Sequence, residues 1–135
     1  MNTNAMNPNI ASRNSILIIE DDQEIREALE EILRFEGYEV GSVKNGKEGL
    51  DYLHKASAPS VILLDMMMPV MNGYQFLAAY QEEPSFSGIP VIVLSADNAL
   101  EDKLKQFQVR FFLKKPIELE RLLELVKQHV DISSD

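Results

Sequence analysis

The stretch Val61-Ile-Leu-Leu-Asp-Met-Met-Met-Pro-Val-Met-Asn-Gly73 decides the fold. Four apolar residues in a row, Val61 to Leu64, read as a strand buried on both faces, because a half-exposed strand would alternate. Asp65 stands where that strand leaves its sheet. Pro69, Asn72 and Gly73 stop the strand and return the chain as a loop. A carboxylate at the C-terminal edge of a buried strand lies where open α/β sheets bind their ligands.

The same pattern recurs on either side. Ile16 to Ile19 form a short apolar run, followed at once by Glu20-Asp21-Asp22. Ile25, Leu29, Ile32 and Leu33 then recur at helical spacing, and Gly37 is a suitable residue to end that helix. Asp22 and Glu24 sit at its entrance, where negative charge suits the helix dipole. Tyr38 to Val43 read as a second strand, Lys44-Asn45-Gly46 as a turn, and Lys47 to Lys55 as a short helix with Leu50 and Leu53 on one face. Phe76, Leu77 and Tyr80 suggest a third helix ending near Pro84, and Ser85 to Ile89 a loop. Pro90 to Leu94 form a fourth strand with Ser95 at its exit. Asp97 or Asn98 is placed to cap helix 4, which carries Leu100, Leu104 and Phe107. Phe111 to Leu113 form strand 5, followed by Lys114, Lys115 and Pro116. Helix 5 carries Leu119, Leu122, Leu123, Val126 and Val130 on one apolar face.

Five strands alternating with five helices in 135 residues imply an α/β domain, a parallel sheet with helices on both faces. Residues 15–130 form this unit. Residues 1–14, with Asn at 2, 4, 7, 9 and 14 and a second candidate start at Met6, read as a disordered lead, and 131–135 as a polar tail. Neither a signal peptide nor a run of apolar residues long enough to span a membrane is legible. The absence of cysteine excludes disulfides and thiolate metal sites and fits a reducing, cytoplasmic setting. A net charge of -9 argues against direct nucleic-acid binding by this domain.

Parallel strands all point one way, so Glu20-Asp21-Asp22, Asp65, Ser95 and Lys115 converge on one sheet edge. Carboxylates gathered there repel one another and call for a cation. With only oxygen ligands that cation is a hard one, Mg²⁺ rather than Zn²⁺. Lys115 brings a positive charge to a bound phosphoryl group, and the Ser95 hydroxyl brings one hydrogen bond. The economical reading is phosphoryl transfer onto a carboxylate, with Asp65 as nucleophile and Lys115 as orienting cation.

Ile16-Leu-Ile-Ile-Glu-Asp-Asp22, Ile62-Leu-Leu-Asp-Met-Met-Met-Pro69 with Asn72-Gly73, Val91-Ile-Val-Leu-Ser-Ala96 and Phe112-Leu-Lys-Lys-Pro116 together resemble the response-regulator receiver domains of two-component signalling, the CheY-like superfamily. The resemblance covers residues 16 to 130. It implies a flavodoxin-like, doubly wound five-stranded parallel sheet of strand order 2-1-3-4-5. It implies phosphorylation of Asp65 by a sensor histidine kinase or histidine phosphotransfer protein, with Mg²⁺ held by Asp21, Asp65 and the Met67 carbonyl. Glu20 acts beside them through metal-bound water, at a position where the family often has Asp. Ser95 and Phe112 match the switch pair, and Lys115, which precedes the proline, matches the catalytic lysine. Its bond to Pro116 is expected to be cis.

The implied output is a changed helix 4–strand 5–helix 5 surface that regulates a downstream effector protein or fused domain, or forms a homodimer. In this reading the chain is no ordinary turnover enzyme; it catalyses its own phosphorylation and slow autodephosphorylation. Met67 and Asp97 are the candidate positions for tuning that lifetime. Met66 and Met68 read as packing residues, Lys114 as solvated surface, and His54 and His129 as surface or boundary residues. Phe111 is open between packing on a helix and contact with a partner. Two other functions compete. A phosphate-blind interaction module is disfavoured by the intact Asp21, Asp65, Ser95 and Lys115. A phosphate-ester hydrolase would need a second acid where Met67 stands.

Overall fold

The computed structural model describes residues 14–55, 57–96 and 100–130. In order these form β1 (Ser15–Ile19), α1 (Gln23–Phe35), β2 (Glu39–Val43), α2 (Gly46–Lys55) and β3 (Val61–Asp65). There follow α3 (Gly73–Gln81), a 3₁₀ turn (Pro84–Phe86), β4 (Val91–Ser95), α4 (Leu100–Lys105), β5 (Phe111–Lys114) and α5 (Leu119–His129). The strands make one sheet in the order β2-β1-β3-β4-β5, every neighbouring pair parallel. This is the expected flavodoxin-like order, with β3 in the middle.

Alternation within the strands builds two cores. Leu17, Ile19, Ile62, Leu64, Val91 and Val93 face one side, where Leu53, Phe76, Leu77 and Leu104 pack from α2, α3 and α4. Ile16, Ile18, Val61, Leu63, Ile92 and Leu94 face the other, against Leu29 and Leu33 of α1 and Leu122 and Val126 of α5. Successive strand residues point to opposite faces, so a strand covered on both sides is apolar throughout. Each such side chain contributes about 1.5–3 kcal/mol on burial. That gain anchors β3 and fixes where Asp65 emerges.

The end of α1 falls at Gly37 as expected, while Asp22 and Asn72, expected only as an acid at a helix entrance and a loop residue, are N-caps. Asp22 is the N-cap of α1, accepting from the Ile25 amide at 3.0 Å. Gly37, at φ +102°, takes the left-handed conformation just past its end. Asn72 and Gln75 form a reciprocal capping box at the start of α3. The segment after α3 is more ordered than a plain loop. Pro84 starts a 3₁₀ turn whose first amides are met by Glu83, and Phe86 is buried there.

One expectation about α5 needs correction. Leu122, Val126 and Val130 are buried, but Leu119, assigned to the same apolar face, is 44% exposed. It is the first residue of a helix that starts beyond the strand ends, so little of the sheet lies beneath it. Residues 1–13, Asp97, Asn98 and 131–135 lie outside the described residues. Among the described residues no helix is long and apolar enough to cross a membrane.

Candidate functional site

The C-terminal ends of β1, β3, β4 and β5 meet at one edge. Register places Asp65 beside Leu94 and Ser95 beside Lys114. Lys115 follows as the chain turns, and its amide donates to the Ser95 carbonyl at 2.8 Å. The Lys115–Pro116 peptide is cis, as the resemblance implied. The Lys115 ammonium lies 3.0 Å from Asp65 Oδ1 and 3.1 Å from Glu20 Oε1, bridging the ends of β1 and β3. Carboxylate oxygens of Glu20, Asp21 and Asp65 all lie within 4.8 Å of one another.

Environment divides these groups. Glu20 and Ser95 are buried, Asp65 is only 3% exposed, and Asp21 is exposed. Burial pushes the Asp65 carboxyl above its ordinary value; the hydrogen bond and charge of Lys115 work against this, and the Asp21 charge adds to it. Burial likewise raises Glu20, followed by the negative charge of Asp65, while Lys115 and a hydrogen bond from the Asp22 amide oppose the rise. For Lys115 burial disfavours the ammonium, yet its bonds to Asp65 and Glu20 outweigh this and hold it above the ordinary lysine value. Three acids stand together with one ammonium, which pairs with two of them. The surplus negative charge, carried only by oxygen ligands, fits a hard divalent cation.

The loop after β3 shapes the approach to Asp65. The Met71 amide donates to the Pro69 carbonyl at 2.7 Å, closing a tight turn around Val70. Val70 has φ +68°, a strained value for a β-branched side chain. Met66 and Met68 are buried as expected, while Met67 and Val70 are 72% and 74% exposed. The Gly73 amide donates to the Met66 carbonyl at 3.0 Å. A Cβ on Gly73 would come within 2.7 Å of Met66 Cα and 3.0 Å of the Asp65 carbonyl oxygen, so only glycine lets α3 start this close to β3.

The remaining candidates do not join the acidic cluster. Phe112 is half-buried and packs with the α4 side of the core. Phe111 packs on α5 instead, edge-on to His129 with ring centroids 4.6 Å apart, which favours its packing role. His54 is exposed and leans on Phe86. Lys114 is exposed. A groove of about 790 Å³ contains none of the acids. It lies toward the opposite end of the sheet, lined by Tyr80, Ile89, Phe107, Arg110 and His129 among others. Its size is no guide to the chemistry here, because the acidic edge is where charge and hydrogen bonding converge.

Sequence reading missed Arg26. Its Nη1 donates to the carbonyl oxygens of Glu20 at 2.9 Å and Asp21 at 3.3 Å. The available signal was a cation in the first turn of a helix, where the dipole disfavours positive charge.

Comparison with known proteins agrees with this geometry. Residues 16–127 match the family model described as the response regulator receiver domain. Response regulator Rre1 of Synechocystis is 32% identical over 116 residues, 84% of this chain and 50% of that protein. Protein PilG of Pseudomonas aeruginosa is 34% identical over 85% of this chain and 86% of its own length. The chain spans about half the length of the first of these relatives. Among solved structures, chemotaxis response regulator CheY4 of Vibrio cholerae superposes with a TM-score of 0.79 at 29% identity, covering 88% of this chain and all of that one. The signal receiver domain of a signal transduction histidine kinase from Syntrophus aciditrophicus gives 0.79 at 31% identity, over 87% of this chain and 89% of its own.

Proposed function

The chain belongs to the response-regulator receiver-domain family, and on that premise we propose that Asp65 accepts a phosphoryl group from a phosphohistidine on a sensor histidine kinase or histidine phosphotransfer protein. The observation that carries this reading is the Lys115 ammonium bridging Asp65 and Glu20, with Asp21 beside them. The acidic cluster and its lysine have the make-up of the family's phosphotransfer site and the capacity for metal-dependent phosphorylation of the domain by itself.

In the transfer an Asp65 carboxylate oxygen attacks phosphorus. The P–N bond to the donor imidazole breaks, and the imidazole nitrogen keeps the electron pair and takes up a proton from solvent. Lys115 holds the Asp65 oxygen in place and then offsets charge on the transferred group. Asp21, Asp65 and the Met67 carbonyl would hold Mg²⁺, with Glu20 acting beside them. When bound, the ion supplies positive charge to the oxygens in transfer.

The phosphorylated carboxylate carries an added charge of about -1.5 to -2. Ser95 and Phe112 respond to it as a switch pair, and the α4–β5–α5 surface changes its affinity for an effector protein, a fused domain or a second copy. Met67 and Asp97 set how long the phosphoryl group lasts. Residues 15–130 are the working unit, set in the cytoplasm and without direct contact to nucleic acid.

Incubation with Mg²⁺ and acetyl phosphate, followed by intact mass measurement, is the test. One added phosphoryl group is expected on the wild type and none on Asp65→Asn. A wild type that gains no mass from acetyl phosphate or from a phosphohistidine donor would sink the reading.

A further inference from the structure

Among the described residues, the Asp21 carboxylate makes no hydrogen bond or ion pair. Glu20 and Asp65 are both tied to Lys115, and Asp22 is tied to the helix it caps. Asp21 is also exposed, so packing does not orient it either. Its direction toward the other two acids is therefore set by its backbone.

The Glu20 amide of that backbone is tied to the Val43 carbonyl of β2 at 3.1 Å, and its carbonyls are held by Arg26. Arg26 Nη1 donates to the carbonyls of Glu20 and Asp21, and the Arg26 amide donates to the carbonyl of Asp22 at 2.9 Å. Three successive carbonyls thus accept from Arg26. Within the same turn the Asp22 amide donates to Glu20 Oε2 at 3.2 Å, closing the loop on itself. Arg26 is the fourth residue of α1, where the helix dipole opposes a cation. Although Asp22 and Glu30 stand four residues to either side of it in sequence, it makes no ion pair of its own among the described residues. The guanidinium is spent on carbonyl oxygens, a use that costs dipole energy and yields geometry.

We propose that Arg26 is a positioning residue for the divalent cation site: by fastening the Glu20 and Asp21 carbonyls it aims the Asp21 carboxylate at those of Glu20 and Asp65. This rests on the reading of the three acids as a cation site. The guanidinium touches no reacting group. It acts on the first ligand through that ligand's own main chain, as outer-shell partners of metal ligands do.

The sign of the effect separates positioning from charge. Arg26 is a cation close to a cation site, so if it acted only through its charge, removing it would tighten metal binding. Positioning requires the opposite. Mn²⁺ serves as the probe, its affinity for the full chain measured by electron paramagnetic resonance, with Mg²⁺ competing. Arg26→Met keeps the aliphatic stem and removes every donor. The expected result is an Mn²⁺ affinity about 10- to 100-fold weaker, with phosphorylation by acetyl phosphate regained at saturating Mg²⁺. Affinity that is unchanged or tighter in Arg26→Met overturns the proposal. Should that variant not fold, Arg26→Lys carries the test. It keeps the charge on a shorter stem that does not carry a donor to the position of Nη1, so a weaker affinity is again expected, and wild-type affinity in it overturns the proposal. A wild type that binds no Mn²⁺ would instead sink the cation-site reading itself.

Discussion

The loop after β1 and the loop after β3 leave the same sheet edge from neighbouring strands, yet their contents are opposite. Residues 20–22 are all acidic, and hydrogen bonds from Arg26 and within the loop fasten them. Residues 66–71 carry no charge. Backbone shape holds them instead: a tight turn at Val70, and a helix start pressed against β3 that only Gly73 permits. Side-chain donors can restrain a loop that must present mutually repelling charge. A loop that must deliver one carboxylate from a buried strand is better held by sterics, which do not compete for that carboxylate's lone pairs.

The sharpest way to break this contrast is to add one methyl group to the sterically held loop. Gly73→Ala sets a Cβ against Met66 Cα and the Asp65 carbonyl, backbone atoms that cannot swing aside. Denaturant unfolding should show a loss of about 1–3 kcal/mol. Acetyl-phosphate labelling should fall with it, because the strand end carrying Asp65 must shift. Unchanged stability would mean that α3 is not pinned at this point.

Proton linkage probes the charged side of the contrast. Asp65 and Glu20 both have folded values raised above their ordinary ones. A raised value means that the folded state holds the proton more firmly than the unfolded state. The resulting stability is complete below the unfolded value, about pH 4, and is lost as pH rises through the folded value. In metal-free buffer Asp65→Asn should therefore melt above wild type, with a larger margin at pH 8 than at pH 5. Adding Mg²⁺ should narrow the margin by stabilising the wild type alone. A margin that grows toward acid pH would contradict the burial argument. Lys115 is raised as well, but its stability is lost only in the alkaline range and leaves this window untouched.

The smallest expected effect concerns the turn itself. Val70→Gly removes a β-branched side chain from a left-handed backbone position. Relief of about 1–3 kcal/mol of strain is partly offset by the about 0.5–1 kcal/mol entropy cost of glycine. A thermal midpoint about 2–4 °C higher should result. A fall would show that the exposed valine makes a contact worth more than the strain.

Much of this arrangement was legible because it depends on regular periods. Runs of four apolar residues gave the buried strands, and parallel topology alone carried Asp65, Glu20 and Lys115 to one edge. Gly37 was readable as a helix stop because that position favours a residue without a Cβ, and Asp22 was readable only as an acid at the helix entrance, its capping bond appearing in the structure. Arg26 was not, since a side chain bonding to carbonyls five and six residues earlier has no periodic trace. Leu119 was misplaced for the converse reason. Helical spacing records angle around the axis, while its exposure depends on how far the sheet extends beneath the helix. Pro84 shows a local rule at work: Glu83 and a fixed proline φ were enough to convert a loop into a turn of 3₁₀ helix.

The hydrogen bond from the Lys115 amide to the Ser95 carbonyl ties together the last residues of two neighbouring strands. The residue whose ammonium holds Asp65 and the last residue of β4 therefore share one main-chain link, so a displacement of the Lys115 backbone passes directly to the strand that lies beside the one carrying Asp65.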